Sequence, residues 1–414
     1  MNRDLPAKYS PIRFLRFVEN RIRPHLPIAL AIVITGLAAR FAYYVFFRPS
    51  SVGLWDMDFF GIWSYAKFAV VKGASQIYDN ERILDFQMEL GAAPRAVLPF
   101  AHPPSFLIMI LPLGLLSYRL AFALWNTATF CCYFLASFYK RWRLSAVLLT
   151  IFAPAALQNF FTGQTGFLSA ALIVGGFRLL PSQPILGGAL LGLATFKPQL
   201  GILIPVALIS AGLWRPIASA GVIVVLLFRI SSLAFGWSIW PAWLAKLPAQ
   251  AEFVVIVPDM FKPTITANLT FIGVDLATAR IVQACVGVLV AIVIWVCFRR
   301  GVTLLATAAL LVGTFLATPH AFIYDMPMLT NAVLMFIRSK DQSDRCLTIP
   351  ETAILFLALV VPILMTETWR PSMFRMIPLL LLLGLLVRDV LRRDIAQAGS
   401  TTAGRTVDRR RASG

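Results

Sequence analysis

Histidine occurs three times and cysteine five times in 414 residues, and charged side chains make up only 14%. Each scarcity excludes something. Cys131, Cys132, Cys285, Cys297 and Cys346 lie in or beside apolar stretches, with no pair flanking an external loop and no metal-ligand spacing, so no structural disulfide is expected. No Cys/His cluster exists, and the only close Asp-x-Asp pair is Asp56 and Asp58. No metal is expected, although that pair has the chemistry to hold a divalent ion. At 59% hydrophobic residues and a mean hydropathy of +0.78, charge is too sparse for a soluble domain. No duplicated half with matching polar breaks is present, which weighs against the repeat architecture frequent in transporters.

Positive charge is the exception, with 37 Lys and Arg against 19 Asp and Glu, a formal net charge of +18. Much of it sits in two tails: Arg3, Lys8, Arg13, Arg16, Arg21 and Arg23 at one end, and Arg388, Arg392, Arg393, Arg405, Arg409, Arg410 and Arg411 at the other. Basic flanks stay cytoplasmic, so both termini are expected inside, against anionic headgroups of the bilayer. The tails carry no recognition motif, and nucleic acid is not an expected partner.

A membrane-crossing helix needs about twenty apolar residues. Such stretches recur from Pro27 almost to Val390, which predicts an all-α polytopic membrane protein. The expected layout is a cytoplasmic basic tail over 1–26, a membrane domain over 27–390 and a disordered basic tail over 391–414. The first span, Pro27 to Phe47, lacks a small-residue cleavage site and reads as a signal anchor. An external loop then covers 48–102, with short surface helices over Phe59–Val71 and Glu81–Leu90. Topology turns on Pro104–Leu116. If that segment crossed, Lys140-Arg141-Trp142-Arg143, Arg299-Arg300 and Arg338-Ser339-Lys340 would all fall outside, against the positive-inside rule. It is short and begins Pro-Pro, so a juxtamembrane or re-entrant helix is expected. The remaining crossings are expected over Tyr118–Tyr139, Leu144–Phe161, Phe167–Leu180, Ile185–Phe196, Leu200–Leu213, Ile217–Phe235, Ala277–Phe298, Val302–Thr318, Tyr324–Ile337, Pro350–Thr366 and Phe374–Val390. That makes about twelve, with a second external loop over 236–275.

With this threading the outer face collects Asp56, Asp58, His102, Gln164, Lys197, Lys262, His320, Tyr324 and Asp325. Loops between helices are polar anyway, so it is the convergence that points to chemistry. Asp58, followed by Phe59, Phe60, Trp63 and Tyr65, sits at a partly dry aromatic interface, where a tuned carboxylate can accept a hydroxyl proton. Its bland reading is a helix-capping Asp, and Asp56 is its rival. His102 and His320 each adjoin a proline at a helix end and can donate to phosphate, or simply satisfy local backbone. Lys197 ends an apolar stretch before Pro198; an anion or snorkelling to headgroups would accommodate its charge. Gly163-Gln164 offers a tight turn and an amide for a sugar hydroxyl. Lys262, in the loop with Pro258, Asp259 and Asn268, is a candidate acceptor clamp or part of a solvated connector.

The order and spacing of Asp58-Phe59, Lys72-Gly73 through Tyr78-Asp79, His102-Pro103-Pro104, Pro112-Leu113, Ala123-Leu124-Trp125, Gly163-Gln164, Gly188 through Gly192-Leu193 to Lys197-Pro198-Gln199, and Pro319-His320 with Tyr324-Asp325 resemble family 87 glycosyltransferases. Two positions depart from that family's pattern: Asp56 adds an acid before Asp58, and His102 stands where an aromatic residue is common. The resemblance implies a C-type glycosyltransferase-like helical bundle in a bacterial cytoplasmic membrane, with an extracytoplasmic active site. It implies an inverting transferase that moves a hexose, mannose being the first suggestion, from a polyprenyl-phosphate sugar to a lipid or glycan acceptor. By the same analogy Asp58 is the general base, and His320 serves the donor phosphate or the acceptor. No cofactor is implied, the lipid-linked sugar being a co-substrate. A transporter or flippase for such a lipid is the competing class, and a noncatalytic assembly partner a third.

Overall fold

The computed structural model describes residues 21–47, 57–91, 99–138, 143–256, 262–366 and 376–392. No strand occurs among these residues. Hydrocarbon leaves backbone N–H and C=O groups no water to bond, and helices satisfy them internally.

The first helix, α1 (Leu26–Phe47), starts one residue before the expected span. The juxtamembrane pair follows as α2 (Met57–Val71) and α3 (Asn80–Glu89), the latter capped by Asp79, whose carboxylate accepts from the Glu81 and Arg82 amides. The Pro-Pro segment forms α4 (Pro104–Ile110) and a 3-10 turn over Leu111–Leu115. At about 1.5 Å per residue this is too short to cross. It lies against α2, and Gly114 is the point of closest approach, because a Cβ there would run into the Ala66 carbonyl.

Helices α5 (Tyr118–Ser137), α6 (Leu144–Phe152), α7 (Pro154–Thr162), α8 (Gly166–Leu179) and α9 (Pro184–Leu193) follow. Next come α10 (Ile204–Ser210), α11 (Trp214–Phe235), α12 (Ile239–Ile256), α13 (Ile265–Phe271) and α14 (Leu276–Phe298). The chain continues with α15 (Leu304–Ala317), α16 (Pro327–Asp341), α17 (Ile349–Thr366) and α18 over 377–392.

Three of the described helices, α5, α11 and α14, are long and apolar enough to cross alone, and α6 with α7 makes a fourth if the bent pair is one span. The described residues therefore do not confirm the expected twelve spans, several of the other apolar helices among them being shorter. The segment expected as one span over Leu144–Phe161 bends by 40° at Ala153-Pro154, since Pro154 can supply no N–H to a continuing helix. Lys197-Pro198 breaks the α9–α10 region for the same reason, leaving two short helices joined by 3-10 turns. The second external loop, expected over 236–275, is largely helical in its described part, as α12 and α13.

Among the described helices, α15 and α16 are buried along nearly their whole length and pack against each other. By contrast α11 leaves Val222, Val225 and Leu233 exposed, an apolar face suited to lipid. Charge gathers at the Asp341 end of α16. Lys340 Nζ donates to Glu351 Oε1 and Asp389 Oδ2, both at 2.8 Å, and Arg388 pairs with the same two carboxylates at 2.7 Å. Arg143 meets Asp341 there at 3.1 Å. The candidate site lies at the opposite, Pro327 end, about 20 Å away along α16.

Candidate active site and an apolar groove with a basic end

Five places between or at the ends of helices build the site: the start of α2, the segment before α4, the α7–α8 turn, the Lys197 break, and the turn over 318–326. Asp58 stands in the first turn of α2, half-buried, with Phe59 fully buried behind it against Tyr118 and Phe122. Its carboxylate accepts a hydrogen bond from the Gln164 side chain. Burial pushes its pKa up to about 6, opposed by that hydrogen bond and by the positive charge of Lys197.

Gln164 is held by the turn that precedes it. Gly163 takes φ +63°, and a side chain there would collide with Phe59 and Phe122. The Thr165 amide donates to Gln164 Oε1 at 3.1 Å, which leaves the amide nitrogen to face Asp58. Trp125 Nε1 fastens the Gly163 carbonyl at 2.8 Å.

Lys197 is buried, at 3% exposure. Its Nζ donates to Asp325 Oδ1 at 2.5 Å and to Thr165 Oγ1 at 3.3 Å, and lies 4.5 Å from the centre of the Tyr324 ring. Asp325, fully buried, accepts the Phe322 amide on its other oxygen at 3.0 Å. That turn is fixed to α7 by Asn159 Nδ2, which donates to the Tyr324 carbonyl at 2.6 Å. His102 closes the site beside Phe106 and Phe196, with Nδ1 3.4 Å from the Phe196 carbonyl. Burial and the nearby Lys197 charge push its pKa down to about 3, so the ring is neutral at working pH.

Asp58, Gln164, Lys197, His102, Tyr324 and Asp325 thus come together. His320 and Lys262 do not join them. They line a separate groove of about 770 Å³ between α10, α13, α14 and the end of α15. Arg280, in the first turns of α14, joins them at one end; burial and the two cations hold the His320 pKa below its ordinary value. Eleven residues further along α14, about 16 Å, the walls are Val288, Ala291 and Val206. Gln283 ties the groove together, donating to the Leu316 carbonyl at 2.7 Å and accepting from the Thr266 amide at 3.2 Å. A long apolar trough with lysine, arginine and imidazole at one end has the shape and charge of a site for a lipid bearing an anionic head.

A profile of glycosyltransferase family 87 matches residues 100–319, more than half of the chain. The chain belongs to glycosyltransferase family 87. No curated protein and no solved structure matches it. Asp58, Tyr324 and Asp325 lie outside the matched stretch, yet they contact or face Gln164 and Lys197 within it. Family 87 membership makes this an enzyme that transfers a sugar between a donor and an acceptor in a membrane setting.

Three site residues of this family 87 enzyme were not legible in the sequence. Asn159 and Thr165 read as ordinary helix and turn residues, although an amide inside an apolar stretch is a signal of buried bonding. Arg280 was absorbed into an expected span; a cation four residues into an apolar run asks for an anion or water. Asp56 and Asp259 lie outside the described residues.

Proposed function

We propose that this glycosyltransferase moves a hexose, mannose first among the candidates, from a polyprenyl-phosphate donor to a hydroxyl of a lipid or glycan acceptor, with inversion. The polyprenyl chain lies along the apolar walls of the groove, and its phosphate is held by Lys262, Arg280 and His320. His320 is neutral here and donates through its protonated ring nitrogen. Asp58 takes the proton of the acceptor hydroxyl as that oxygen attacks the anomeric carbon from the face opposite the phosphate. One C–O bond forms, the bond from the anomeric carbon to the phosphate oxygen breaks, and the phosphate leaves as the dianion-bearing lipid. One displacement inverts the centre.

The observations that carry this reading are a half-buried carboxylate with a pKa of about 6, held by Gln164, and a separate apolar groove whose cationic end includes His320, five residues before the Asp325 that pairs with Lys197 in the carboxylate site. Such an acid is mostly ionised at pH 7 and still basic enough to accept a proton. The cations meet the charge that grows on the leaving phosphate, so the mechanism calls on neither a metal nor an organic cofactor.

The same reading puts the site outside a bacterial cytoplasmic membrane. Arg143, Lys340 and Arg388 gather at the other end of the bundle, and basic clusters favour the cytoplasm. Asp58→Asn tests the assignment: labelled-sugar transfer in detergent should fall by about 10²–10⁴-fold. Undiminished transfer by folded Asp58→Asn removes Asp58 from the mechanism. Detergent also separates an enzyme from a flippase, since transport needs a sealed compartment and product formation does not.

A further inference from the structure

An ammonium group has three donor directions. All three of Lys197 are occupied within the protein, by the Asp325 carboxylate, the Thr165 hydroxyl and the Tyr324 ring. A buried lysine in that state is a poor phosphate ligand, because binding would require giving up a partner in a medium where an orphaned charge is costly. Its partners, however, trace a continuous path. Asp58 accepts from Gln164, Gln164 accepts from the Thr165 amide, Thr165 accepts from Lys197, and Lys197 donates to Asp325. The other oxygen of Asp325 holds the Phe322 amide, in the turn that also carries His320 of the groove.

We propose that Lys197, clamped by Asp325, is a positioning residue that joins the Asp58 carboxylate to the turn carrying His320, and does not bind the donor phosphate. This rests on Asp58 acting as the base. It assigns the two members of the pair opposite electrostatic effects on one carboxylate. Lys197 favours the ionised form of Asp58. Asp325 keeps the ammonium turned away, so that Asp58 remains free to take a proton instead of becoming locked in an ion pair.

The titratable groups that face this place are Tyr65 from α2, His102 before α4, Lys197 from its break, and Tyr324 and Asp325 from the 318–326 turn. Burial holds both tyrosines protonated, and His102 is neutral above about pH 3. The acid side of the rate profile therefore reports Asp58.

The test is the pH profile of sugar transfer from radiolabelled polyprenyl-phosphate mannose in detergent, with a membrane-lipid extract as acceptor, for four variants. Lys197→Met should move the acid limb upward by about one pH unit, and Asp325→Asn should move it downward, because the unclamped ammonium turns to Asp58. In both, kcat should drop at least about tenfold while the donor KM stays within about twofold of wild type. Lys197→Met/Asp325→Leu removes both charges and leaves none orphaned. Should either single variant fail to fold, it carries the test, with an upward limb and an unchanged donor KM. Asp58→Asn is the fourth.

Limbs that move in the same direction for the two single variants, or do not move, overturn the coupling and leave a structural pair. A donor KM raised tenfold in Lys197→Met with an unmoved limb makes Lys197 a phosphate ligand after all. Full transfer by Asp58→Asn overturns the base assignment itself, whereas its loss together with unmoved limbs in the others overturns only the coupling.

Discussion

Replacing Gly166 by alanine would drive a methyl carbon into the Tyr324 carbonyl oxygen and to within 2.5 Å of Asn159 Oδ1. A carbon needs about 3.3 Å from an oxygen, so Asn159 Oδ1 must retreat by about 0.8 Å and the Tyr324 carbonyl by well over 1 Å, or the helix must shift. Neither is a loose side-chain tip. The carbonyl belongs to the turn that carries His320 and Asp325, and Asn159 is the residue that pins that turn. Overpacking of this kind costs about 1–3 kcal/mol, and breaking the Asn159–Tyr324 hydrogen bond in a buried place adds about 1–3 kcal/mol more. The larger effect should be on rate, since a misplacement of about 1 Å around a reacting group can cost about 100-fold. Gly175→Ala, in the same helix, is the matched control: its added carbon would meet Leu190 at 3.5 Å and Ala136 at 3.7 Å, which is ordinary contact. Helix propensity favours alanine there by about 1 kcal/mol. Labelled-sugar transfer by the two purified variants, with thermal unfolding followed in parallel, checks the expectation. Wild-type transfer by Gly166→Ala refutes the close approach of α8 to the turn and, with it, the way the site is assembled.

Three other perturbations follow from the same geometry. Because the Asp58 pKa is raised from the ordinary carboxylate value to about 6, the folded protein holds that proton more tightly than the unfolded chain does. Its contribution to stability should decline from about pH 4 to pH 6 and stay flat above, so Asp58→Asn is expected to be inactive yet more stable at pH 7 by on the order of 2 kcal/mol, the gain vanishing below pH 4 in parallel melts. Lys262→Ala, Arg280→Ala and His320→Ala should each raise the KM for the lipid-linked donor with a smaller loss in kcat at saturation; a kcat loss without any KM change would move these residues out of donor binding. Lys340→Met leaves Glu351, buried, and Asp389, half-buried, to Arg388 as the cation between them and should destabilise by about 1–3 kcal/mol in denaturant melts, with the donor KM unchanged.

Helix type and most boundaries were legible because apolar length and proline placement act locally. α1, α8, α11 and α14 start within three residues of their expected positions. What the sequence concealed was the consequence of long-range packing. A continuous apolar run over Leu144–Phe161 cannot announce that its halves diverge by 40°, although Pro154 marks the place. The expected connector over 236–275 hid α12 and α13, since the stretch with Pro258, Asp259, Lys262 and Asn268 reads as loop chemistry; Asn268 lies inside α13. The site was legible as a list of polar breaks but not as two places. Nothing in the spacing separates His320, which faces the groove, from Asp325 five residues later, which turns inward to Lys197. Lys197 reads as an unpaired cation in sequence because its partner is 128 positions away.

The bend at Ala153-Pro154 also bears on biogenesis. Both α6 and α7 lie against α1, and α17 closes over the same helix. A nine-residue half-helix ending beside Gln158 and Asn159 is a weak insertion signal by itself. Helix α1 is made before either half of the bent pair, so Leu30, Ala31 and Ile34 are without those partners until about a hundred further residues have been added. Hydropathy alone therefore underdetermines how the broken segment is seated, because its two halves share α1 as a packing partner.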